Sequence, residues 1–250
     1  MSKFTKAIAA IMLMTAVACV AGCNKPDAPN NGGDNNGGNG NGGGNNGGSI
    51  NGPEYVDLGL PSGTLWATCN VGANTPEGYG DYFAWGETQP KDYYGWSTYK
   101  YCNGDEDQLT KYCNNSSYGY NGFTDNLTTL QLSDDAARAN WGGDWRMPTK
   151  AEWEELFNNT TVTWTTQNGV YGRLFTASNG NSLFLPAAGC RYDGSLYDAG
   201  SYGGFWFSSL ITDYPDYAWG LYFSSGVSDM SGSHRYLGRS VRAVLPASKN

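Results

Sequence analysis

The chain has 250 residues, of which 15 are Lys or Arg and 23 are Asp or Glu, so its net charge is −8. An acidic chain without a cluster of Lys or Arg is not expected to bind nucleic acid. The chain contains a single His, His234, so a metal site built on several His residues is not expected either. The sequence therefore predicts no metal ion and no cofactor.

Residues 1–22 have the form of a lipoprotein signal peptide. Two Lys residues precede an apolar run over positions 7–20 that is too short to cross a bilayer comfortably. The run ends in Val20-Ala21-Gly22-Cys23, which resembles a lipobox, so we expect cleavage before Cys23 and a lipid on its sulfur. The alternatives are an ordinary secretory signal with a chance cysteine, and lipidation at Cys19.

Residues 23–52 are predicted to be a disordered tether. Positions 30–48 contain only Asn, Gly and one Asp, and such a run has no apolar surface to offset the entropy lost on ordering. One folded domain is then expected over 53–250. The predicted location is the cell envelope, with the domain held at the outer-membrane surface by the lipid anchor alone.

The domain is predicted to consist of short strands around two helices. Apolar patterns and turn signals place the strands at 55–58, 65–71, 82–85, 162–166, 170–176, 182–185, 205–208, 219–223 and 241–245. Asn168-Gly169 predicts a tight hairpin turn between two of these strands. The segment over 86–129 shows little periodicity, and we expect long loops there.

The two helices are predicted from their start signals. One covers 134–140 with Ser133 as its N-cap, and the other follows Pro148, where Thr149 and Glu152 have the spacing of a capping box. Arg146 is expected to form an ion pair with Glu152 or Glu155, which is a structural role.

Four cysteines follow Cys23, and an exported protein meets an oxidising compartment. Cys102 and Cys113 flank a turn-rich loop, and we hypothesise that they form a disulfide. The loop between them carries Asp105, Glu106 and Asp107. These acids could hold calcium, but a solvated acidic loop is the favoured interpretation.

The last third of the chain is unusually aromatic. From Arg191 to Tyr236, 12 of 46 residues are Phe, Trp or Tyr, and positions 156–248 contain neither Lys nor Glu. Tyr and Trp among Ser, Gly and Asp are typical of binding surfaces, because they combine rigid contact area with small polar groups. One late cysteine, Cys190, and one His suggest no catalytic arrangement. We therefore predict a binding surface and no catalytic residue.

Strand alternation separates two sets of side chains near the predicted strand 219–223. One face is assigned to the core and the other to solvent or ligand, because successive side chains point to opposite faces. The core set is Trp219, Leu221 and Phe223, and the outward set is Gly220, Tyr222 and Ser224. Tyr217 shares the core parity but sits where the strand begins.

Four ordered segments resemble the Fibrobacter succinogenes major paralogous domain of surface lipoproteins: YVDLGLPSGTLWATCNVGA, YGDYFAWGE, NWGGDWRMPTKAEW and SVRAV. The third segment is also similar to the formylglycine-generating-enzyme type of C-type-lectin-like fold. The resemblance implies an α+β, C-type-lectin-like fold in which two helices pack on a twisted, mostly antiparallel sheet with long loops. The C-terminal third resembles the variable proteins of diversity-generating retroelements, which implies ligand-contacting residues displayed on a fixed framework.

Strand parity, turn-like context and this resemblance together give the candidate ligand-binding residues. They are Tyr202, Tyr214, Asp216, Tyr217, Tyr222, Ser224, Asp229, His234 and Tyr236. The predicted function is that of a membrane-anchored surface lipoprotein that binds an extracellular glycan or protein, for adhesion or capture. The alternatives are a surface enzyme or accessory protein acting on glycans, and a structural surface component.

The lipidation site predicts the behaviour of a Cys23→Ala variant. It should lose incorporation of an alkyne-tagged fatty acid, because the thiol that accepts the lipid is gone. A Cys19→Ala variant serves as the control and should keep full labelling. Labelling that persists in Cys23→Ala and disappears in Cys19→Ala would move the site to Cys19.

Overall fold

Strands dominate the computed structural model, which describes residues 53–247 and has 37% strand against 12% helix. The predicted signal peptide over 1–22 and tether over 23–52, with Cys23, lie outside the described residues. Within the described part, neither α-helix has the length and apolar character that a bilayer-spanning helix needs.

The elements follow one another in the order β1 (Tyr55–Val56), β2 (Leu65–Asn70), α1 (Ala136–Trp141), α2 (Lys150–Asn158), β3 (Thr160–Gln167), β4 (Val170–Ala177), β5 (Ser182–Pro186), β6 (Cys190–Tyr192), β7 (Ser195–Tyr197), β8 (Gly203–Leu210), β9 (Tyr217–Phe223), β10 (Ser228–His234) and β11 (Arg242–Leu245). Three single-turn 3₁₀ helices interrupt the loops before α1. They are Trp96–Thr98, Tyr120–Gly122 and Leu132–Asp134.

The strands form four small antiparallel sheets. Their strand orders are β1-β2-β11, β3-β4-β5, β6-β7 and β8-β9-β10. The predicted α+β, C-type-lectin-like fold, with two helices packed on one twisted sheet, is therefore wrong. Helices of six and nine residues are too short to cover a large sheet, and frequent Gly and turn residues divide the strands before one large sheet can form.

The β3-β4-β5 sheet forms as its sequence predicts. Asn168 and Gly169 both have positive φ, 48° and 82°, which is the backbone that a two-residue hairpin turn between β3 and β4 requires. By contrast β6, β7 and β10 were not predicted. β10 has the polar sequence SDMSGSH, yet all seven of its residues pair with β9. The predicted strand over 82–85 is reduced to a bridge between Phe83 and Arg239.

The capping prediction is confirmed for α2 and wrong for α1. Thr149 and Glu152 form the complete capping box. Arg146 donates two hydrogen bonds to the Glu152 carboxylate, one of them at 2.8 Å. Burial alone would raise the pKa of Glu152, but the bonds from Arg146 and Thr149 hold it below its ordinary value. The N-cap of α1 is Asp135, whose carboxylate accepts the first free N–H groups of the helix, because Ser133 lies inside a preceding 3₁₀ turn.

Two buried hydrophobic clusters lie on opposite faces of the β8-β9-β10 sheet. The helix-side cluster contains Trp66, Trp153, Phe205, Phe207 and Phe223 among others, and the loop-side cluster contains Trp85, Tyr94, Trp206, Leu210 and Ala218 among others. Successive β8 residues contribute to different clusters, as strand alternation requires. Both faces of the sheet are thus covered near its centre, so side chains can reach solvent only towards its ends and its outer strand.

The predicted disulfide is not present, and both cysteines are free thiols. The Cys102 thiol donates to the backbone carbonyl of Trp96 at 3.1 Å, and the Cys113 thiol donates to that of Asn115 at 3.1 Å. The two sulfurs therefore point to different parts of the loop. Burial raises the pKa of both thiols, which keeps them protonated and unreactive.

Arg235 is completely buried and fixes the long loops, and it has no carboxylate partner among residues 53–247. Its guanidinium donates to the Tyr99 hydroxyl at 2.8 Å and to the carbonyls of Lys111, Tyr112 and Pro215 at 2.8–3.0 Å. It also lies 5.0–5.8 Å from the ring centroids of Trp85, Tyr99 and Tyr112. One side chain thus joins four segments that share little regular secondary structure.

This geometry predicts that Arg235→Met strongly destabilises the domain. The change leaves the buried carbonyls of Tyr112 and Pro215 and the partly buried carbonyl of Lys111 without their donor, and each buried loss costs about 1–3 kcal/mol. We expect a decrease of at least about 3 kcal/mol in the free energy of unfolding by urea. The control is Arg138→Met, which removes a half-exposed Arg paired with the exposed Asp144 and should cost less than about 0.5 kcal/mol. Equal effects would show that Arg235 does not hold the loops.

Candidate functional site

The nine predicted ligand-binding residues do not form one surface. Tyr217 and Tyr222 are five positions apart on β9, so strand alternation places them on opposite faces of the sheet. Each is directly opposite another predicted residue on β10, since Tyr217 pairs with His234 and Tyr222 with Asp229. The structure therefore divides the prediction into two separate patches.

The larger patch is an array of half-buried rings that we call the aromatic surface: Trp96, Tyr192, Tyr217, His234 and Tyr236. The rings touch in sequence. His234 lies 4.2 Å from Tyr217 and 5.4 Å from Tyr236 between centroids, and Tyr236 lies 4.9 Å from Trp96 and 6.0 Å from Tyr192. All five remain partly accessible to solvent, so the array offers ring edges and faces to a partner.

Buried anchors hold the aromatic surface in place. Arg235 stands between His234 and Tyr236 in the chain, and its backbone N–H donates to the Asp216 carbonyl at 3.1 Å. Trp96 belongs to the 3₁₀ turn that leads into Tyr99, whose hydroxyl accepts from Arg235. Because the same buried guanidinium fixes both segments, the rings are positioned before any ligand arrives.

The aromatic surface carries neutral hydroxyls beside acidic groups. Burial, with the Asp216 carboxylate nearby, raises the pKa of Tyr217 to about 12. Burial also raises the pKa of Tyr236. Both hydroxyls therefore stay protonated at neutral pH and can donate hydrogen bonds, while the Asp216 carboxylate can only accept them.

The smaller patch contains three predicted residues, Tyr202, Tyr222 and Asp229. The two tyrosine rings stack at 6.1 Å with an interplanar angle of 18°. The Tyr222 hydroxyl donates to the Asp229 carboxylate at 2.9 Å, and burial together with this bond raises the pKa of Tyr222. Arg239 lies beneath the patch and donates to the Tyr202 hydroxyl at 3.2 Å.

Gly220 is not an outward-facing display position, although its parity is that of Tyr222. It is buried, and the guanidinium of Arg239 lies over it, at 5.0 Å from the Trp206 ring centroid. A Cβ added at Gly220 would lie 2.7 Å from Arg239 Nη1 and 2.8 Å from the Phe205 carbonyl oxygen. The glycine therefore makes room for a buried arginine.

Of the other three predicted residues, the buried Asp216 borders the aromatic surface beside Tyr217, and Tyr214 and Ser224 belong to neither patch. Tyr214 lies in the turn before β9, where its backbone bonds to Ile211 and Tyr217 shape the turn. The Ser224 carbonyl accepts from Arg173 at 2.8 Å, which ties the β9–β10 hairpin to β4. In both residues the backbone shapes the β9–β10 region.

Trp96 and Arg239 belong to the site region but were missing from the predicted set. Trp96 lies in a loop without periodicity, so nothing in the sequence distinguishes it from the neighbouring aromatics. Arg239 is 4% exposed, and its place beneath Tyr202 depends on folding of the segment after β10. The sequence around Arg239 does not distinguish a buried arginine from an exposed one.

Comparison of the chain with protein-family models, with curated proteins and with solved structures finds no match. The resemblance of the four sequence segments to a known family therefore stays a prediction. What the domain can do has to follow from the rings, hydroxyls and carboxylates of the two patches.

The contact between Arg239 and Gly220 predicts different effects on stability for two glycine substitutions in the β9–β10 hairpin. Gly220→Ala should cost about 1–3 kcal/mol, because its methyl group would collide with Arg239 and the Phe205 backbone. The matched control is Gly226→Ala, where no atom lies within 4 Å of the added Cβ, and its effect should stay within about 0.5 kcal/mol. Urea unfolding measures both. A Gly220→Ala variant as stable as Gly226→Ala would mean that Arg239 does not rest on β9.

Proposed function

We propose that this protein is a membrane-anchored surface lipoprotein whose domain binds an extracellular glycan or protein through the aromatic surface. The observation that carries the proposal is the array itself, in which five half-buried rings are held by buried anchors and remain open to solvent. Rings of this kind give a large contact area at low cost in conformational entropy.

The chemistry of the surface suits ligands that combine apolar faces with hydroxyl groups. Tyr and Trp rings can lie against the apolar face of a sugar or an aromatic side chain, while the Tyr217 and Tyr236 hydroxyls supply polar partners. The combination of ring faces with protonated hydroxyl groups favours a glycan as the ligand. A protein ligand is the second outcome that the experiment below distinguishes.

The first experiment is a binding screen of the full-length chain against a glycan array and an array of extracellular protein domains. A double variant, Trp96→Ala with Tyr192→Ala, removes two rings at the edge of the aromatic surface and should weaken binding at least about tenfold. The matched control is Tyr171→Ala, which removes a 51% exposed tyrosine that stacks on Trp164 in the β3-β4-β5 sheet. It should bind as the unaltered chain does.

The control decides the interpretation. Equal binding by the double variant and the unaltered chain would exclude the aromatic surface as the site. Loss of binding in Tyr171→Ala instead would move the site to the β3-β4-β5 sheet. Hydrolysis of a bound glycan during the assay would favour the surface-enzyme alternative over a binding module.

A further inference from the structure

Three side chains from distant parts of the chain converge beside the aromatic surface. Glu106 lies on the acidic loop, Asp216 immediately precedes β9, and His234 ends β10. One potential ligand atom from each lies within 4.8 Å of the others. Folding thus places two carboxylates around the single imidazole of the chain.

The distance between Asp216 and His234 does not fit a direct hydrogen bond. Asp216 Oδ2 and His234 Nδ1 are 3.6 Å apart, which is longer than hydrogen bonds between nitrogen and oxygen. Ligands that bind a tetrahedral zinc ion at 2.0–2.2 Å lie about 3.4 Å from one another. The observed separation therefore fits two ligands of one shared ion.

Both groups also have atoms without a hydrogen-bond partner among the described residues. Asp216 is 4% exposed, yet within residues 53–247 neither its Oδ1 nor the buried His234 Nδ1 has a partner. Burying a carboxylate oxygen without a donor is costly. A cation between the two groups would remove that cost for both of them.

The other nitrogen of the imidazole is already held. His234 Nε2 lies 2.9 Å from the Tyr217 hydroxyl. When Nε2–H donates to the Tyr217 oxygen, Nδ1 carries the lone pair, and it lies 3.6 Å from Asp216 Oδ2. An outer hydrogen bond that fixes the tautomer in this way is typical of histidines that bind metal.

We propose that Glu106, Asp216 and His234 bind a divalent first-row transition metal ion, of which Zn²⁺ is the probe. An imidazole with two carboxylates suits Zn²⁺ and its neighbours, whereas Ca²⁺ and Mg²⁺ prefer ligand sets made only of oxygen. Glu106 is exposed and supplies the third ligand from the acidic loop. Zinc binding by these residues does not depend on whether the aromatic surface binds a ligand.

The proposal revises the expectation that a chain with one His has no metal site. That expectation rested on counting His residues. The count excludes sites with several imidazoles, but it does not exclude one imidazole completed by two acids that the sequence keeps far apart.

The first test measures Zn²⁺ binding to the untagged full-length chain, stripped with a chelator, by isothermal titration calorimetry. We expect saturable binding of one zinc ion and no comparable binding of Ca²⁺ or Mg²⁺. Glu106→Gln should weaken the zinc affinity at least about tenfold, since it removes a ligand from an exposed loop without disturbing the core. The matched control, Asp107→Asn, makes the same charge change one position away and should leave the affinity within about threefold.

The second test uses the fact that His234 is the only histidine. In ¹⁵N imidazole spectra, Zn²⁺ should shift the Nδ1 resonance strongly and leave Nε2 as a protonated nitrogen. His234→Gln and Asp216→Asn should abolish the binding, and urea unfolding checks that each variant is folded.

Three results would overturn the proposal. The first is an absence of saturable Zn²⁺ binding to the unaltered chain. The second is an affinity that Glu106→Gln and Asp107→Asn leave equally unchanged, which would place the zinc elsewhere, for example on the free thiols. The third is an imidazole that keeps both of its nitrogens protonated in the presence of Zn²⁺, which would identify a simple ion pair with Asp216.

Discussion

The buried guanidinium of Arg235 is the constraint on which the rest of the structure depends. The segments between β2 and α1 contain little regular secondary structure, so side chains have to set their position. A buried cation needs compensation for its lost hydration, and here four oxygen atoms and three ring faces supply it. Because the acceptors come from separate segments, these loops are fixed together rather than one by one. His234 and Tyr236 are the chain neighbours of Arg235, so they are held in position as well.

Burial of the centre of the β8-β9-β10 sheet explains why the aromatic surface lies at the end of the sheet. Hydrophobic clusters cover the centre of the β8-β9-β10 sheet on both faces, so the sheet has no open face on which to display a row of residues. Rings become accessible where β9 begins and β10 ends, and that is where the aromatic surface forms. The potential metal ligands Asp216 and His234 occupy the same end of the sheet. This end of the sheet therefore carries both the aromatic surface and the potential metal ligands.

Two local signals predicted their structures correctly, the Ser133 cap did not, and the long-range contacts could not be predicted. Asn168-Gly169 and the Thr149–Glu152 pair act on neighbours in the chain, so their turn and cap could be predicted. β10 could not, because its small polar residues have no strand pattern of their own and pair only because β9 is there. Strand parity alone assigned Gly220, Tyr222 and Ser224 to the outward face, and the burial of Gly220 contradicts that assignment. The convergence of Glu106 with Asp216 is a property of the folded chain and leaves no local trace.

β10 is the outer strand of its sheet, with β9 on one side only among the residues that the structure describes. An outer strand exposes backbone groups that can template pairing with another molecule. Few side chains of β10 would stabilise such pairing. Ser228 and Asp229 are exposed, and two further serines and a glycine follow. Two copies meeting edge to edge would bring their Asp229 carboxylates into the same interface. The polar sequence of β10 thus disfavours edge-to-edge association of two copies, which matters most where many copies lie close together.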